Sequence, residues 1–479
     1  MAGISTKGAA VDVGSTQSTQ ALRRMLIPLG LAQFICSFAG SNMNVMINDI
    51  SQDLDTTVKG VQTTITLFLL VMAVLMIPCS KLTDRFGRKR CFVWGLVLYG
   101  IGALLSAAAP GLGVLILGNS ILEGVGTALL IPPVYILATL AFTDTASRAR
   151  AFGTISGMAG IGAAAGPLIG GVITSAISWR AAFVFQALII AVIIVLSRRL
   201  RDPLPADPSR HFDGVGAVLS AVGMFFVVFG ILQAQTDLVL MAVFVAVGLA
   251  LLLGFFVYIR AREHEGKEAL LSTELFRNRT SNLGLATQNI QWLLLMGTSF
   301  VVAVFLQTVR HFSAVKTGVI FTAATAGILV SSLAAERLAK RHEQRTLIRT
   351  GFVVAIAGIA LLIAFVGASK NVFAFVPGLL VIGLGLGVML TPSVNLVQSA
   401  FPEQKQGEIS GLSRSVSNLG SSFGTAIAGT ILVSDLASGN RSYALAMAVL
   451  AALALIGLAA AVALPGQPRT VAQPTPQTT

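Results

Sequence analysis

Apolar residues come in long runs of about 18 to 25 positions, parted by short clusters of charged or turn-forming residues. That is the length a helix needs to cross roughly 30 Å of hydrocarbon. The runs lie near 25–48, 60–79, 91–109, 112–137, 152–177, 181–197, 214–233, 238–259, 283–308, 317–335, 347–368, 371–393, 409–434 and 443–464. The pattern predicts an all-α polytopic membrane protein with 14 transmembrane helices. An even count returns both termini to one side. With alternate loops assigned to alternate sides, 27 of the 33 Lys and Arg fall on one side and 6 on the other. The positive-inside rule makes the base-rich side cytoplasmic, so a multi-pass protein of the cell membrane with both termini in the cytoplasm is expected.

Composition narrows the classes. Hydrophobic residues make up 55% and charged ones 11%, where soluble proteins carry about 25% charged. A net charge of +13 raises nucleic acid as a partner, but the bases sit in short loops between apolar runs and not on one soluble domain, so topology accounts for them. Cys36, Cys79 and Cys91 show no metal-ligand spacing and read as small packers; no metal and no cofactor is expected. His211, His264, His311 and His342 fall in loops or at run ends, which leaves no cluster for catalysis, and the chain is not expected to be an enzyme. A channel would need a ring-forming filter repeat that the sequence lacks. Residues 1–24 are polar, without a signal-peptide core, and form a cytoplasmic segment. The Pro- and Thr-rich tail, 465–479, reads as disordered.

Among the Asp and Glu residues, only Glu123 falls near the middle of a run. An acid in hydrocarbon is costly and by default functional, so Glu123 is the candidate for proton coupling. The competing role is a neutral carboxyl hydrogen-bonded to its neighbours for packing alone.

A degenerate repeat organises the whole. Asp84-Arg85-Phe86-Gly87-Arg88-Lys89 follows the second run, and Glu336-Arg337-Leu338-Ala339-Lys340-Arg341 follows the tenth with the same acid–base spacing. The implied plan is a six-helix bundle over 25–200, an inserted helix pair with its linkers over 201–279, and a second six-helix bundle over 280–464. Paired halves around a midplane site are a transporter architecture.

The loop Ser80-Lys81-Leu82-Thr83-Asp84-Arg85-Phe86-Gly87-Arg88-Lys89-Arg90 resembles the helix 2–3 signature of the major facilitator superfamily, with Ser80 where Gly is usual. Gly162-Ala163-Ala164-Ala165-Gly166-Pro167-Leu168-Ile169-Gly170-Gly171 resembles the motif of that superfamily's exporters and antiporters. Trp179-Arg180 with Phe183, Phe212-Asp213 and Leu275-Phe276-Arg277-Asn278-Arg279 add to a likeness, over about 25–464, to the fourteen-helix drug:proton antiporters. The resemblance implies the major facilitator fold, alternating access, and export of small amphipathic or cationic compounds by proton antiport from a monomer in the lipid bilayer. The alternatives are export of a lipid or other large apolar molecule, or uncoupled movement.

It also implies a conformational switch of Asp84, Gly87, Arg88 and Arg414, with Asp84 held by the thirteenth helix near Ser410 and Arg414. The Gly162/Gly166/Gly170 face, with Pro167 bending the helix and Gly171 beside it, is expected to meet the tenth helix at Ala323, Ala324, Ala326 and Gly327. Three positions depart from the family pattern: an Asp usual in the first helix is Ala39, an Arg usual in the fourth is Ser120, and the usual Gln three residues on has become Glu123. Polar residues at mid-depth are the substrate-cavity candidates: Gln33, Asn42 and Asn44 in the first helix, Gln288, Gln291 and Trp292 in the ninth, and Asn395 in the twelfth.

Overall fold

The computed structural model describes residues 12–142, 145–200, 202, 212–233, 237–339, 341–368, 371–402, 405–433 and 440–466. Among them stand fourteen long helices and no strand. In chain order they are α1 (Asp12–Asn42), α2 (Val58–Phe86), α3 (Arg88–Ala107), α4 (Leu112–Ala141), α5 (Thr145–Ala176), α6 (Trp179–Ser197) and α7 (Gly214–Gln233). Then follow α8 (Leu238–His264), α9 (Arg279–Val309), α10 (Ala314–Leu338), α11 (Gln344–Ala368), α12 (Val376–Gln398), α13 (Gln406–Val433) and α14 (Asn440–Val462).

Twelve of them contain a span apolar and long enough to cross a membrane, so the chain is a multi-pass membrane protein. The other two are α5 and α13, and the reason is chemical in each case. α5 bends by 42° between Ala163 and Ala165, where Pro167 has no N–H to offer the carbonyl four residues back. α13 carries buried Ser410, Ser413, Arg414, Ser417 and Ser421 along one stripe, which lowers its hydropathy but leaves its length intact.

Local chemistry sets several helix starts. Side chains of Thr57, Ser178, Asp237 and Asn278 accept the first free N–H groups of α2, α6, α8 and α9. Gly87, at φ 93°, makes the abrupt turn from α2 to α3, a backbone conformation that only glycine adopts at little cost. Asp202 then accepts the N–H groups of Arg88 at 2.7 Å and Lys89 at 3.2 Å, an anion on the positive end of α3.

The packing is doubled. In the first half α1 lies on α5, α2 on α4, α3 on α4 and α6; in the second α9 lies on α13, α10 on α12, α11 on α12 and α14. The halves meet along two seams, α2 with α13 and α5 with α10, which exchange under the same pseudo-symmetry. α7 and α8 pair with each other, and α7 leans on α2 and α13 beside one seam.

Candidate functional site

Between the halves lies a small cavity, about 30 Å³, room for a water or two. α1 lines it with Gln33, Cys36 and Ser37, α2 with Met72, α9 with Trp292 and Met296, and α13 with Arg414, Ser417 and Asn418. Both ends are shut. At the end of the bundle holding residues 80–90, Ser80 donates to the Gly407 carbonyl at 2.8 Å and Lys81 pairs with Glu408 at 2.7 Å. The second oxygen of Glu408 accepts the Ser272 N–H at 3.0 Å, so α13 is tied both to α2 and to the segment entering α9. At the opposite end Gln307 donates to the Asn44 carbonyl at 2.8 Å, and Asn48 donates its amide to the Gln307 carbonyl at 3.1 Å.

Of the polar residues expected in the cavity, Gln33 and Trp292 line it. The others are used elsewhere. Gln288 is locked inside the second half, donating to the Ser393 carbonyl at 2.9 Å and accepting from Ser413 at 2.7 Å. Asn42 sits against Gly170 of α5 and Asn44 in the closed end. Gln291 is buried and Asn395 half-buried, neither on the cavity wall. A helical turn presents side chains on all sides, and depth alone does not say which neighbour covers them.

Arg414, expected to hold Asp84, is 4% exposed, stacked over the Tyr135 ring at 4.3 Å, on the wall of the cavity. Tyr135 in turn donates to Gln33 at 3.2 Å. The Asp84 side chain lies outside the described residues; the polar ties seen across that seam are those of Ser80 and Lys81. The signal that could have placed Arg414 is the Ser410/Ser413/Ser417/Ser421 spacing, a polar helical stripe with Arg414 on its flank.

The exporter-like glycines also face another way than expected. A Cβ on Gly162 would strike the Phe34 carbonyl, one on Gly166 would meet Ser41 and Phe38, and one on Gly170 would meet Asn42 at 3.1 Å. All three pack on α1, within the first half. It is Gly171 that meets α10, at the Ala314 carbonyl, and a Cβ on Gly318 of α10 would strike the Pro167 carbonyl. Ala324 and Gly327 of α10 face α12.

Glu123 is 0% exposed, at the end of a π-helical stretch of α4 that runs Ile116–Glu123. Such wide turns recur at functional sites. Ser106 of α3 donates to one carboxyl oxygen at 3.3 Å and Asn119 to the other at 3.4 Å. The Tyr99 hydroxyl lies beside them and donates to Gln186. Every one of these partners is neutral. Glu123 does not line the cavity: Cys36, which does, stands beside Thr127, one turn along α4. Direct pairing of this carboxylate with a substrate in the cavity is therefore not what the geometry provides. Ser120, at the position of the family's usual Arg, donates to the Thr64 carbonyl at 2.8 Å and fastens α4 to α2.

The profile of the Major Facilitator Superfamily matches residues 29–425 and 290–479. The chain is 28% identical over 411 residues to the puromycin resistance protein pur8 of Streptomyces alboniger, covering 85% of this chain and 81% of that one. It is 29% identical to the multidrug efflux pump LfrA of Mycolicibacterium smegmatis over 76% of this chain and 71% of the pump. It is 26% identical to the multidrug resistance protein Stp of Mycobacterium tuberculosis over 86% and 76%.

Proposed function

Because the chain belongs to the Major Facilitator Superfamily, we propose that it is a secondary active exporter of small amphipathic compounds, working by alternating access and exchanging substrate for protons taken up at Glu123. The reading places residues 80–90 at the cytoplasmic face of the cell membrane, in keeping with the distribution of bases, and takes the monomer as the working unit. The relatives named for puromycin resistance and multidrug efflux support export over uptake.

The observation that carries the reading is the pair of seams, α2 with α13 and α5 with α10, around a cavity shut at both ends. A cavity of about 30 Å³ holds no drug-sized molecule, so transport requires one end to part while the other stays closed. Lys81–Glu408 is the tie that parts on the inner side, and Asn48–Gln307 the tie that parts on the outer side. Proton and substrate sites are separate, and coupling runs through the α3–α4 packing. A carboxyl that loses its proton among neutral partners must be met by movement of those helices or by water.

The test is energised transport into inside-out vesicles with amphipathic dyes of different charge: fluorescein, Nile red and ethidium. Glu123→Gln keeps the shape and one of the two acceptor oxygens that Ser106 and Asn119 use, and cannot ionise. It is expected to exchange dye down a gradient but to lose accumulation against one. Accumulation equal to wild type would reduce Glu123 to a packing residue.

A further inference from the structure

We infer that the central cavity selects organic anions, recognising an aromatic or amphipathic carboxylate, sulfonate or phenolate through Arg414. The inference rests on the exporter reading and gives it a substrate class, one opposite in charge to the cations that the family resemblance suggests.

The warrant is a charge without a counter-charge. Arg414 is nine-tenths buried, and its Nε and Nη2 find no hydrogen-bond partner among the described residues. Its guanidinium lies over the Tyr135 ring, whose face holds a cation but accepts no N–H in the plane of the guanidinium. Among the described residues the cavity wall carries no Asp or Glu; its other polar members are Gln33, Ser37, Ser417, Asn418 and Ser421, all neutral. Glu123, a buried acid of the first half, is turned into the α3–α4 seam and occupied by Ser106 and Asn119. An uncompensated buried cation is among the costliest features a protein can keep, and a planar fork of free donors matches a carboxylate better than any neutral group. The partner missing among the described residues is the one a ligand supplies.

The rest of the wall fixes the kind of anion. Trp292 offers a ring face, and Met72 and Met296 offer polarisable, adaptable surface. A small inorganic anion would leave these unsatisfied; an aromatic acid places its ring among them and its charge on Arg414. Such a substrate also suits export. An anion leaving a negative interior moves with the membrane potential, and a proton entering in exchange moves with it too.

The experiment uses three probes with one ring and three charges: 2-naphthoate, 2-naphthamide and 2-naphthylmethylammonium, titrated into the purified full-length protein in nanodiscs by calorimetry. Wild type is expected to bind the carboxylate at least tenfold tighter than the ammonium ion, with the amide between them. Arg414→Gln should erase that order, and Arg414→Lys should keep it at weaker affinity. Should Arg414→Gln fail to yield folded protein, the wild-type order and Arg414→Lys still decide. An ammonium ion bound as tightly as the carboxylate, an order unchanged in Arg414→Gln, or no binding of any of the three overturns the inference. The dye assay separates the two readings. Export of dyes without the anion preference removes this inference alone, whereas no export of any dye removes the exporter reading on which it stands.

Discussion

The seam between α3 and α4 and the seam between α11 and α12 are built alike. Gly95 meets the Gly126 carbonyl and Gly102 the Gly118 carbonyl; Gly351 meets the Gly385 carbonyl and Gly358 the Gly378 carbonyl, in the same order along the helices. Close backbone contact is conserved between the halves, but the side chains around it are not. Where Gly118 faces Ser106, Gly378 faces Leu362; where Gly126 faces Tyr99, Gly385 faces Ala355; and where Gly102 meets the backbone N of Glu123, Gly358 meets that of Ile382. The step from Gly118 to Glu123 is one residue longer than that from Gly378 to Ile382, and the π-helical stretch Ile116–Glu123 absorbs the extra residue. The second half thus shows what this seam requires for packing alone: glycines and aliphatic side chains. Tyr99, Ser106 and Glu123, and the wide turn that aims Glu123, are additions that packing does not call for.

The sharpest way to break this comparison is to move the acid. Ile382→Glu buries a carboxyl against Leu362 and Ala355, with no hydroxyl or amide where the first half has them. The expected cost is about 3 kcal/mol, the price of an acid at the centre of a membrane helix, read as loss of folded protein in thermal unfolding. Glu123→Ile makes the first seam resemble the second and is expected to leave unfolding within about 1 kcal/mol of wild type, with uphill transport gone. A Glu123→Ile variant that unfolds as readily as Ile382→Glu would show that the polar set holds the seam together after all.

Glycines sort next by whether their seam moves. Gly166 lies on α1 inside a half, Gly171 on α10 between halves. Gly166→Leu overpacks a fixed contact and should destabilise by about 1–3 kcal/mol, abolishing transport with it. Gly171→Leu leaves each half intact and instead wedges the halves apart at their outer end. A cysteine installed at Asn48 should then react with a membrane-impermeant maleimide faster in Gly171→Leu than in wild type. Equal labelling would mean that the two glycine faces are equivalent.

These two faces also mark how far the chain can be read unaided. Run lengths are enough for the number of long helices, because hydrocarbon thickness acts on sequence directly, whereas the pairing of α5 with α10 and of α2 with α13 is what the resemblance to the superfamily implies. A glycine every fourth residue reveals a smooth stripe but not what covers it, and α5 has small residues on two sides. Arg414 was legible as a base, not as a cavity wall, since a charge near a run's end looks the same whether it points to water or inward. Glu123 stood out because hydrocarbon makes acids rare; its separation from the cavity depends on helix rotation, which apolar runs do not encode.

A smaller effect is expected from the inner tie. Lys81 and Glu408 are each about a quarter exposed, so screening limits the pair to a few tenths of a kcal/mol up to about 1. Lys81→Gln should move the balance between inward-open and closed forms by no more than about fivefold, seen as faster inner-face labelling, with folding unchanged. A shift as large as that of Gly171→Leu would make the tie a principal latch.

The smallest effect concerns the ends of the halves opposite residues 80–90, which are closed by different chemistry. In the second half Phe305, Phe375 and Tyr443 cluster, with Phe305 and Tyr443 ring centres 4.5 Å apart. In the first, Asp53 pairs with Arg180 and accepts the Trp179 indole N–H at 3.1 Å, while Arg180 donates to the Ala109 carbonyl at 3.0 Å. The Arg180 and Trp179 hydrogen bonds hold the Asp53 carboxyl below its ordinary value of 3.8. A depressed pKa gives stability that is present in full above the unfolded value and is lost as pH falls through the folded one. The aromatic cluster has no such dependence. Amide protection, taken relative to the intrinsic exchange rate at each pH, should therefore stay flat at both ends down to about pH 4 and fall below it around Asp53 and Trp179–Phe183 only. Asp53→Asn should show the lowered protection at every pH. A first-half transition near pH 6, or an equal acid response around Tyr443, would mean that Asp53 is not what closes this end.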